Sequence, residues 1–260
     1  MDEQMGVSAH DEQSIALLYD DAKVAETYLS TRFISSWGHL LHKSQVSAIN
    51  RVIQLHQPLN IVEVAPGPAR IATGLTGVRK GVMIDYSAEM LALAKHRLCA
   101  SGLDAVWELR QHNAFELAVL NLQCDFIYTF RFIRHFDSGD RSRLYREVYA
   151  SLNPRGIFML DVVNRNVRQA LDTKKPNRPT DALAVYDATY SQNEFQREME
   201  THGFTVLSMT PTIRYFQLQS WLSRTFDYRC RKFSDLIVSA IESLPLSEPL
   251  EWIALMRKKP

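Results

Sequence analysis

The sequence predicts an α/β protein built on a doubly wound parallel sheet. Apolar runs of strand length recur from about residue 60 onward, segments with helical spacing separate them, and turn-forming residues stand at their junctions. This alternation favours parallel βαβ units, because a parallel connection needs a crossover helix. A length of 260 residues suits one large domain with a small subdomain or lid.

The predicted elements follow one another along the chain. A helical stretch covers about 12–31, and Val46, Ile49 and Ile53 mark a clearer helix before the first strand. Further helices follow the second and fourth strands. The predicted strands are seven apolar runs: 61–64, 81–84, 106–109, 126–129, 157–163, 204–209 and 252–256.

Capping and turn residues support several boundaries. Ser87 is placed to cap the helix that follows the second strand. Ser191 and Glu194 have the spacing of a capping box, and Gly203 ends the helix that they open. Residues 153–156 have the composition of a turn.

The composition excludes several classes of function. A formal net charge of +1 gives no overall attraction to nucleic acid or to an anionic membrane, and a local basic cluster such as 229–232 is typical of solvated surface. Three widely spaced cysteines indicate neither a metal site nor a disulfide framework. Without a signal-like start or a membrane-spanning run, we expect a cytoplasmic monomer or homodimer that acts on a small molecule.

The turn after the first strand suggests a ligand site. A turn of small residues between strand and helix lets a ligand approach the backbone closely. The glycine fingerprint of dinucleotide-binding proteins maps onto Ala65, Gly67 and Arg70, and the large cation at its third position argues against such a cofactor. Asp85, 22 positions after Glu63, can accept hydrogen bonds from both hydroxyls of a ribose. The alternative is that Asp85 is a turn residue before Ser87.

With this turn and Asp85, the chain resembles the class I S-adenosylmethionine (SAM)-dependent methyltransferase superfamily, in its small-molecule branch. The resemblance implies a Rossmann-like sheet of seven strands with the last strand antiparallel, a helical N-terminal lid and C-terminal insertions. It implies SAM as cofactor and S-adenosylhomocysteine (SAH) as product. The matching stretches are 62–70, 82–98, 112–115, 124–136 and 152–164.

The resemblance assigns cofactor-binding residues one by one. Residues 63–69, among them Glu63, Ala65, Pro66 and Gly67, line the methionine part of SAM. Asp85 holds the ribose, and the adenine is contacted by Tyr86, Asn113 and Ala114. Alanines at 65 and 69 replace two glycines of the family loop, which binding tolerates if neither position needs a positive φ. Asn113 stands where an aspartate is common.

The segment after the fourth strand is where methyltransferases bring methyl and acceptor together. Thr129 and Phe130 are expected near the sulfonium. His135 is a candidate base, or else a residue that hydrogen-bonds the following helix. Arg131 meets the SAM carboxylate, an acidic substrate or a helix acid.

Residues 165–190 and 211–249 break the alternation and are predicted to be insertions over the ligand-binding edge. The predicted division is a helical lid (1–45), a SAM-binding core (46–165) and a cap with the final strands (166–260). Aromatic residues in lid and cap suit an aromatic or apolar acceptor, although each such residue is also a candidate for the core. The predicted acceptor residues are Tyr19, Tyr28, Arg32, Trp37, Tyr190 and Tyr215.

We therefore predict a methyltransferase that acts on an O, N or C atom of a small metabolite, without a metal. One alternative is a nucleotide-cofactor oxidoreductase. Another is a catalytically inactive SAM-fold protein that binds a ligand or a partner. A nucleic-acid methyltransferase is disfavoured, because no basic domain or nucleic-acid-binding module is recognisable.

Overall fold

The computed structural model describes residues 34–173 and 187–260. It contains the predicted doubly wound sheet. The helices are α1 (Ser36–His56), α2 (Ala88–Ala100), α3 (Ser138–Ser151), α4 (Arg165–Thr173), α5 (Gln192–Thr201), α6 (Phe216–Phe226) and α7 (Arg231–Glu242). The strands are β1 (Ile61–Val64), β2 (Gly81–Asp85), β3 (Trp107–Gln111), β4 (Cys124–Thr129), β5 (Leu152–Asn164), β6 (Thr189–Tyr190), β7 (Phe204–Thr212) and β8 (Glu251–Lys258).

The strand order is β3-β2-β1-β4-β5-β8-β7, and the two-residue β6 pairs with β5 off this path. Strands β1 to β5 are parallel, whereas β8 is antiparallel to both of its neighbours. The order reverses between β2-β1 and β1-β4, which creates a crevice at the carboxyl ends of these strands. The predicted seven strands with an antiparallel last strand are confirmed, and β6 is an addition.

The inner strands β1, β2, β4, β5 and β8 are buried on both faces over most of their length, which explains why they are apolar runs, whereas the edge strands β3 and β7 are partly exposed. Val62 and Val64 of β1 belong to one core cluster with residues of α3 and α5. Ile61 of the same strand belongs to the opposite cluster, with residues of α1 and α2. Successive side chains alternate between the faces, as strand geometry requires.

Helices α2 and α5 begin at the predicted caps. Ser87 Oγ accepts from Met90 N at 3.1 Å, and the capping box of Ser191 with Glu194 is present. Helix α1 begins ten residues earlier than the Val46 pattern indicated, because Ser35 caps it. The expected turn at 153–156 lies inside β5, where the register against β4 shifts. The predicted helix at 12–31 lies outside the described residues.

The two insertions leave the sheet at its carboxyl edge. Helix α4 follows β5, and α6 and α7 follow β7, which runs parallel to β5 because each is antiparallel to β8. Helix α1 packs against α6 and α7. Among residues 34–173 and 187–260, no helix is long and apolar enough to cross a membrane. The three-part domain division stays a prediction.

Candidate active site

The loop after β1 has an unusual backbone. Ala65, Gly67 and Ala69 have φ values of 53°, 54° and 52°, in the left-handed region that favours glycine. The condition under which the loop was expected to tolerate alanine, that neither position needs a positive φ, is therefore not met. Both alanines keep the conformation of the glycine loop. A Cβ at Gly67 would come no closer than 3.8 Å to Met90 Sδ, so backbone strain rather than crowding favours glycine there.

Glycine at position 65 should therefore stabilise the fold. A left-handed alanine costs about 1–2 kcal/mol, and the entropy that glycine loses on folding cancels only about 0.5–1 kcal/mol of that gain. We expect Ala65→Gly to raise the free energy of unfolding by about 0.5 kcal/mol. Denaturant unfolding measures the change.

The matched control is Ala92→Gly, which places the same substitution at an exposed interior position of α2. That variant should lose about 1 kcal/mol. Equal losses from both variants would contradict the strain assigned to Ala65.

Asp85, at the end of β2, holds this loop to the next strand. Its Oδ2 accepts from Gly67 N at 2.9 Å, and its Oδ1 accepts from Ser87 N at 3.1 Å. Burial raises the pKa of Asp85 to about 6, although the backbone N–H groups of Ser87, Gly67 and Tyr86 oppose the shift. A carboxylate has about four acceptor positions, so Asp85 retains capacity for a further donor. The sequence also allowed Asp85 to be a turn residue, and the hydrogen bond from Ser87 N shows that it has this role in part.

Glu63 lies beneath the loop and is only 4% exposed. Its Oε2 accepts from the Tyr128 hydroxyl at 2.9 Å, and burial raises the pKa of Glu63 to about 7. Arg70, close enough to oppose that shift, donates to His42 Nδ1 at 2.6 Å and to Gln45 Oε1 at 2.7 Å. Arg70 thus joins the loop to α1.

The raised pKa of Glu63 predicts a pH-dependent stability. Protonated Glu63 stabilises the fold fully below its unfolded pKa of about 4.3, and this stabilisation is lost as the pH rises through the folded pKa of about 7. Glu63→Gln mimics the neutral form. Its free energy of unfolding should exceed that of the wild type by up to about 3 kcal/mol above pH ~8, and by little near pH ~5.

Denaturant unfolding at both pH values tests this, with Glu116→Gln as the control at an exposed position. If the difference in free energy of unfolding between Glu63→Gln and the wild type does not change with pH, a buried neutral Glu63 is ruled out.

The residues predicted to meet the adenine lie at the ends of β2 and β3. Tyr86 is 53% exposed. Asn113 caps the short 3₁₀ helix Ala114–Leu120, and its Oδ1 accepts from Phe115 N at 3.0 Å. The first N–H groups of such a turn have no partner within the helix, which suits the predicted contact through the Ala114 backbone. The adenine contacts themselves remain predictions.

The segment after β4 is tightly held. Thr129 is 1% exposed, and its Oγ1 has no hydrogen-bond partner among the residues that the structure describes. Phe130 lies against Tyr128 with ring centroids 6.2 Å apart. Arg131 is left-handed at φ 58°, and its N–H donates to Asp161 Oδ1 at 2.6 Å. The structure thus places Thr129, Phe130 and Arg131 beside the loop of β1, the neighbouring strand.

His135 is buried in a charged network that sequence reasoning missed. Arg134, at its centre, forms ion pairs with Asp161, Asp187 and Glu251 at 2.7–2.9 Å. His135 Nδ1 lies 3.2 Å from Asp187 Oδ1. Burial opposes the charge of Arg134, but the three carboxylates hold its pKa well above the usual range. Charged residues within apolar strands, such as Asp161 and Glu251, were the only signal of this network in the sequence.

The predicted acceptor residues divide into three groups. Trp37 packs edge-on against Phe216 with ring centroids 5.4 Å apart. Tyr215, next to Phe216 in the chain, lines a cavity of about 420 Å³ between α4 and the first turn of α6. Tyr190 lies in the core, where its hydroxyl donates to Glu198 Oε1 at 2.7 Å, so this placement does not support a contact with substrate. Tyr19, Tyr28 and Arg32 lie outside the described residues.

Comparison with known proteins finds a match for the part of the chain that contains the loop after β1. A family model described as a methyltransferase domain matches residues 61–156. This part of the chain is therefore similar to a methyltransferase domain. The match begins with β1 and includes the loop, Asp85, Asn113 and the end of β4. No curated protein sequence matches the chain.

Solved structures share the fold of this chain. Magnesium protoporphyrin IX methyltransferase from Synechocystis PCC 6803, with bound SAH, has a TM-score of 0.63 at 10% identity, over 96% of this chain and all of that one. The [4+2]-cyclase SpnF has a TM-score of 0.65 at 14% identity, over 98% of this chain and 99% of that one. An O-methyltransferase family protein from Burkholderia thailandensis has a TM-score of 0.61 at 10% identity, over 97% of this chain.

The chain spans only 64% of the Burkholderia protein and 59% of an O-methyltransferase structure from Nostoc punctiforme PCC 73102. At these identities the likeness shows the fold alone. The fold is that of class I SAM-dependent methyltransferases, and its reaction has to be argued from the site.

Proposed function

We propose that this chain transfers a methyl group from SAM to an O, N or C atom of a small aromatic or apolar metabolite. The observation that carries the proposal is the unit formed by the β1 loop and Asp85. The loop keeps a left-handed, glycine-type backbone at three positions, two of them alanines, and Asp85 fixes it through Gly67 N. Strain of this kind persists where a ligand site requires it.

The residues at this edge fit the donor. Asp85 has acceptor capacity for a ribose hydroxyl, and the small side chains of residues 65–69 let a ligand approach the backbone. Thr129 Oγ1, buried without a described partner, offers a polar contact beside the loop. Asn113 and Ala114 stand at the end of the adjoining strand and would hold the adenine.

SAM, when bound, supplies a methyl group already activated on a sulfonium. The chain then has to orient donor and acceptor and exclude water, and orientation alone is worth about 7–11 kcal/mol. An acceptor that must lose a proton also needs a base. His135 is the candidate, since Asp187 can orient its ring, but at 2% exposure it reaches an acceptor only where the acceptor enters the buried segment. Its catalytic role stays a prediction, as does that of Arg131.

The acceptor is proposed to bind between the two insertions. Val167 and Leu171 of α4 and Tyr215 and Phe216 at the start of α6 line the cavity there. A lining of this kind suits a planar or apolar molecule, and a volume of about 420 Å³ is in the range of small-molecule sites.

The test is SAH formation from SAM in the presence of phenolic, quinone and amine acceptors. The proposal predicts turnover with one of these classes, lower turnover in Phe216→Ala, and none in Asp85→Ala. If the chain binds SAH tightly but forms no SAH from SAM with any of these acceptors, it is the inactive ligand-binding protein instead.

A further inference from the structure

Exposed apolar side chains are concentrated on the second insertion. Thirteen large hydrophobic residues of the described chain are exposed, and seven of them lie between residues 218 and 246. Single exposed residues are normal on protein surfaces, whereas a cluster indicates an interaction site. The seven are Leu218, Trp221, Tyr228, Phe233, Leu236, Leu244 and Leu246, with exposures from 44% to 94%.

Leu218, Trp221, Phe233 and Leu236 form a surface across α6 and α7, which Phe226 connects. Trp221 of α6 packs edge-on against Phe226 with centroids 6.3 Å apart, and Phe226 packs against Phe233 of α7 at 6.0 Å. Leu218 lies one turn before Trp221, and Leu236 one turn after Phe233, so each extends the same helix face. We call this the α6–α7 surface.

The fully exposed charged residues around the α6–α7 surface are all basic. Between residues 214 and 246, all of which the structure describes, the exposed charged residues are Arg224, Arg229 and Lys232. The acids of this segment are half-buried and have partners: Asp227 accepts from Ser36 N at 2.9 Å, Glu242 accepts from Arg214 N at 2.8 Å, and Asp235 is ion-paired with His39 and Arg231 at 3.6 and 3.9 Å. The cluster at 229–232, which the sequence suggested to be ordinary solvated surface, therefore belongs to an apolar, cationic face.

We propose that the α6–α7 surface docks on an anionic membrane. Aromatic residues with a basic rim are the composition that favours the headgroup region of a bilayer, and each basic residue near an anionic surface adds attraction. Helices of 11 and 12 residues are too short to span a bilayer and would lie in its surface. A second copy is a poorer occupant, because a twofold interface would place the cationic face against itself.

The α6–α7 surface is continuous with the cavity between the insertions. The first turn of α6 lines the cavity through Phe216 and Leu218, and Leu218 is also part of the exposed face. A bilayer at this face would bring apolar molecules to the cavity mouth. The docking itself does not depend on the proposed methyl transfer.

The experiment is sedimentation of the full chain with vesicles of phosphatidylcholine alone, or with one third phosphatidylglycerol. The wild type should bind the anionic vesicles, and added salt should weaken this binding. The combined Arg224→Gln, Arg229→Gln and Lys232→Gln variant should bind about fivefold more weakly per charge, on the order of a hundredfold in all. The Trp221→Ala, Leu236→Ala variant should lose at least about tenfold.

Fluorescence and a matched control separate docking from unfolding. Trp107 and Trp252 are only 4% and 5% exposed, and Trp37 packs against Phe216. A blue shift on anionic vesicles that vanishes in Trp221→Phe therefore reports Trp221. The control, Arg51→Gln with Leu55→Ala, changes an exposed basic and an exposed apolar residue of α1 and should bind as the wild type does.

Three outcomes would overturn the proposal. They are no binding to anionic vesicles, equal binding to phosphatidylcholine alone, and unchanged binding by the charge variant. A dimer that Trp221→Ala, Leu236→Ala converts to monomers, without any vesicle binding, would assign the α6–α7 surface to a second copy of the chain.

Discussion

Replacing Asp85 with alanine is expected to weaken SAH binding by at least about a hundredfold. The variant removes a carboxylate that would accept a ribose hydroxyl, and hydrogen bonds to a charged group contribute about 1.5–3 kcal/mol each. It also releases Gly67 N from its partner at 2.9 Å, so the loop loses its tie to β2. Calorimetric titration of the purified variant measures the change.

Asp85→Asn and Asp104→Ala are the controls. Asparagine can still accept from Gly67 N through its side-chain oxygen, so it should retain the loop and lose only part of the affinity. Asp104 is an exposed acid before β3, and its removal should leave binding unchanged. Because burial raises the pKa of Asp85 to about 6, wild-type affinity should also fall as the pH drops through that value. Unchanged affinity in Asp85→Ala would remove Asp85 from the donor site.

Replacing Arg134 with methionine is expected to cost about 3–5 kcal/mol of unfolding free energy. Arg134 is 6% exposed and is ion-paired with Asp161, Asp187 and Glu251. Methionine fills similar space, but the three carboxylates then lie buried without their cation. Arg134 and His135 hold the pKa of Asp187 well below its usual range against the effect of burial. The stabilisation is present above the unfolded pKa of about 3.9 and is lost in acid.

Denaturant unfolding near neutral and acidic pH checks this, with Arg110→Met as the control. Arg110 pairs with Glu108 at 2.7 Å, but the two side chains are 35% and 46% exposed, and such surface pairs contribute about 0–1 kcal/mol. We expect a large loss in Arg134→Met that shrinks in acid, and a small one in Arg110→Met. Equal small losses of unfolding free energy in the two variants would mean that the buried network does not stabilise the fold.

The inner parallel strands were predictable because strands buried on both faces are largely apolar. β1 was predicted to the residue, and Ser87, Ser191 and Glu194 have local cap signatures that depend on no distant contact. The start of α1 was missed because its first turns pack on α6 and α7, far away in sequence.

The candidate site was predictable only in part. The loop of β1 and Asp85 follow two neighbouring strands, so topology alone brings them to one edge. The left-handed φ of Ala65 and Ala69 was not predicted, since residue type disfavours it and the surrounding structure imposes it. The Arg134 network was missed because its partners lie 27 and 117 positions away. Tyr190 was expected at the acceptor, and its burial against Phe195 reflects the general preference of aromatic residues for the core.

The central claim is that this chain holds SAM at the edge formed by the β1 loop and Asp85. Calorimetric titration of the wild-type protein with SAH and with SAM tests it most directly. We predict saturable binding of both in the micromolar range, with one ligand per chain. Binding of a dinucleotide such as NAD instead, or of neither SAM nor SAH, would contradict the account.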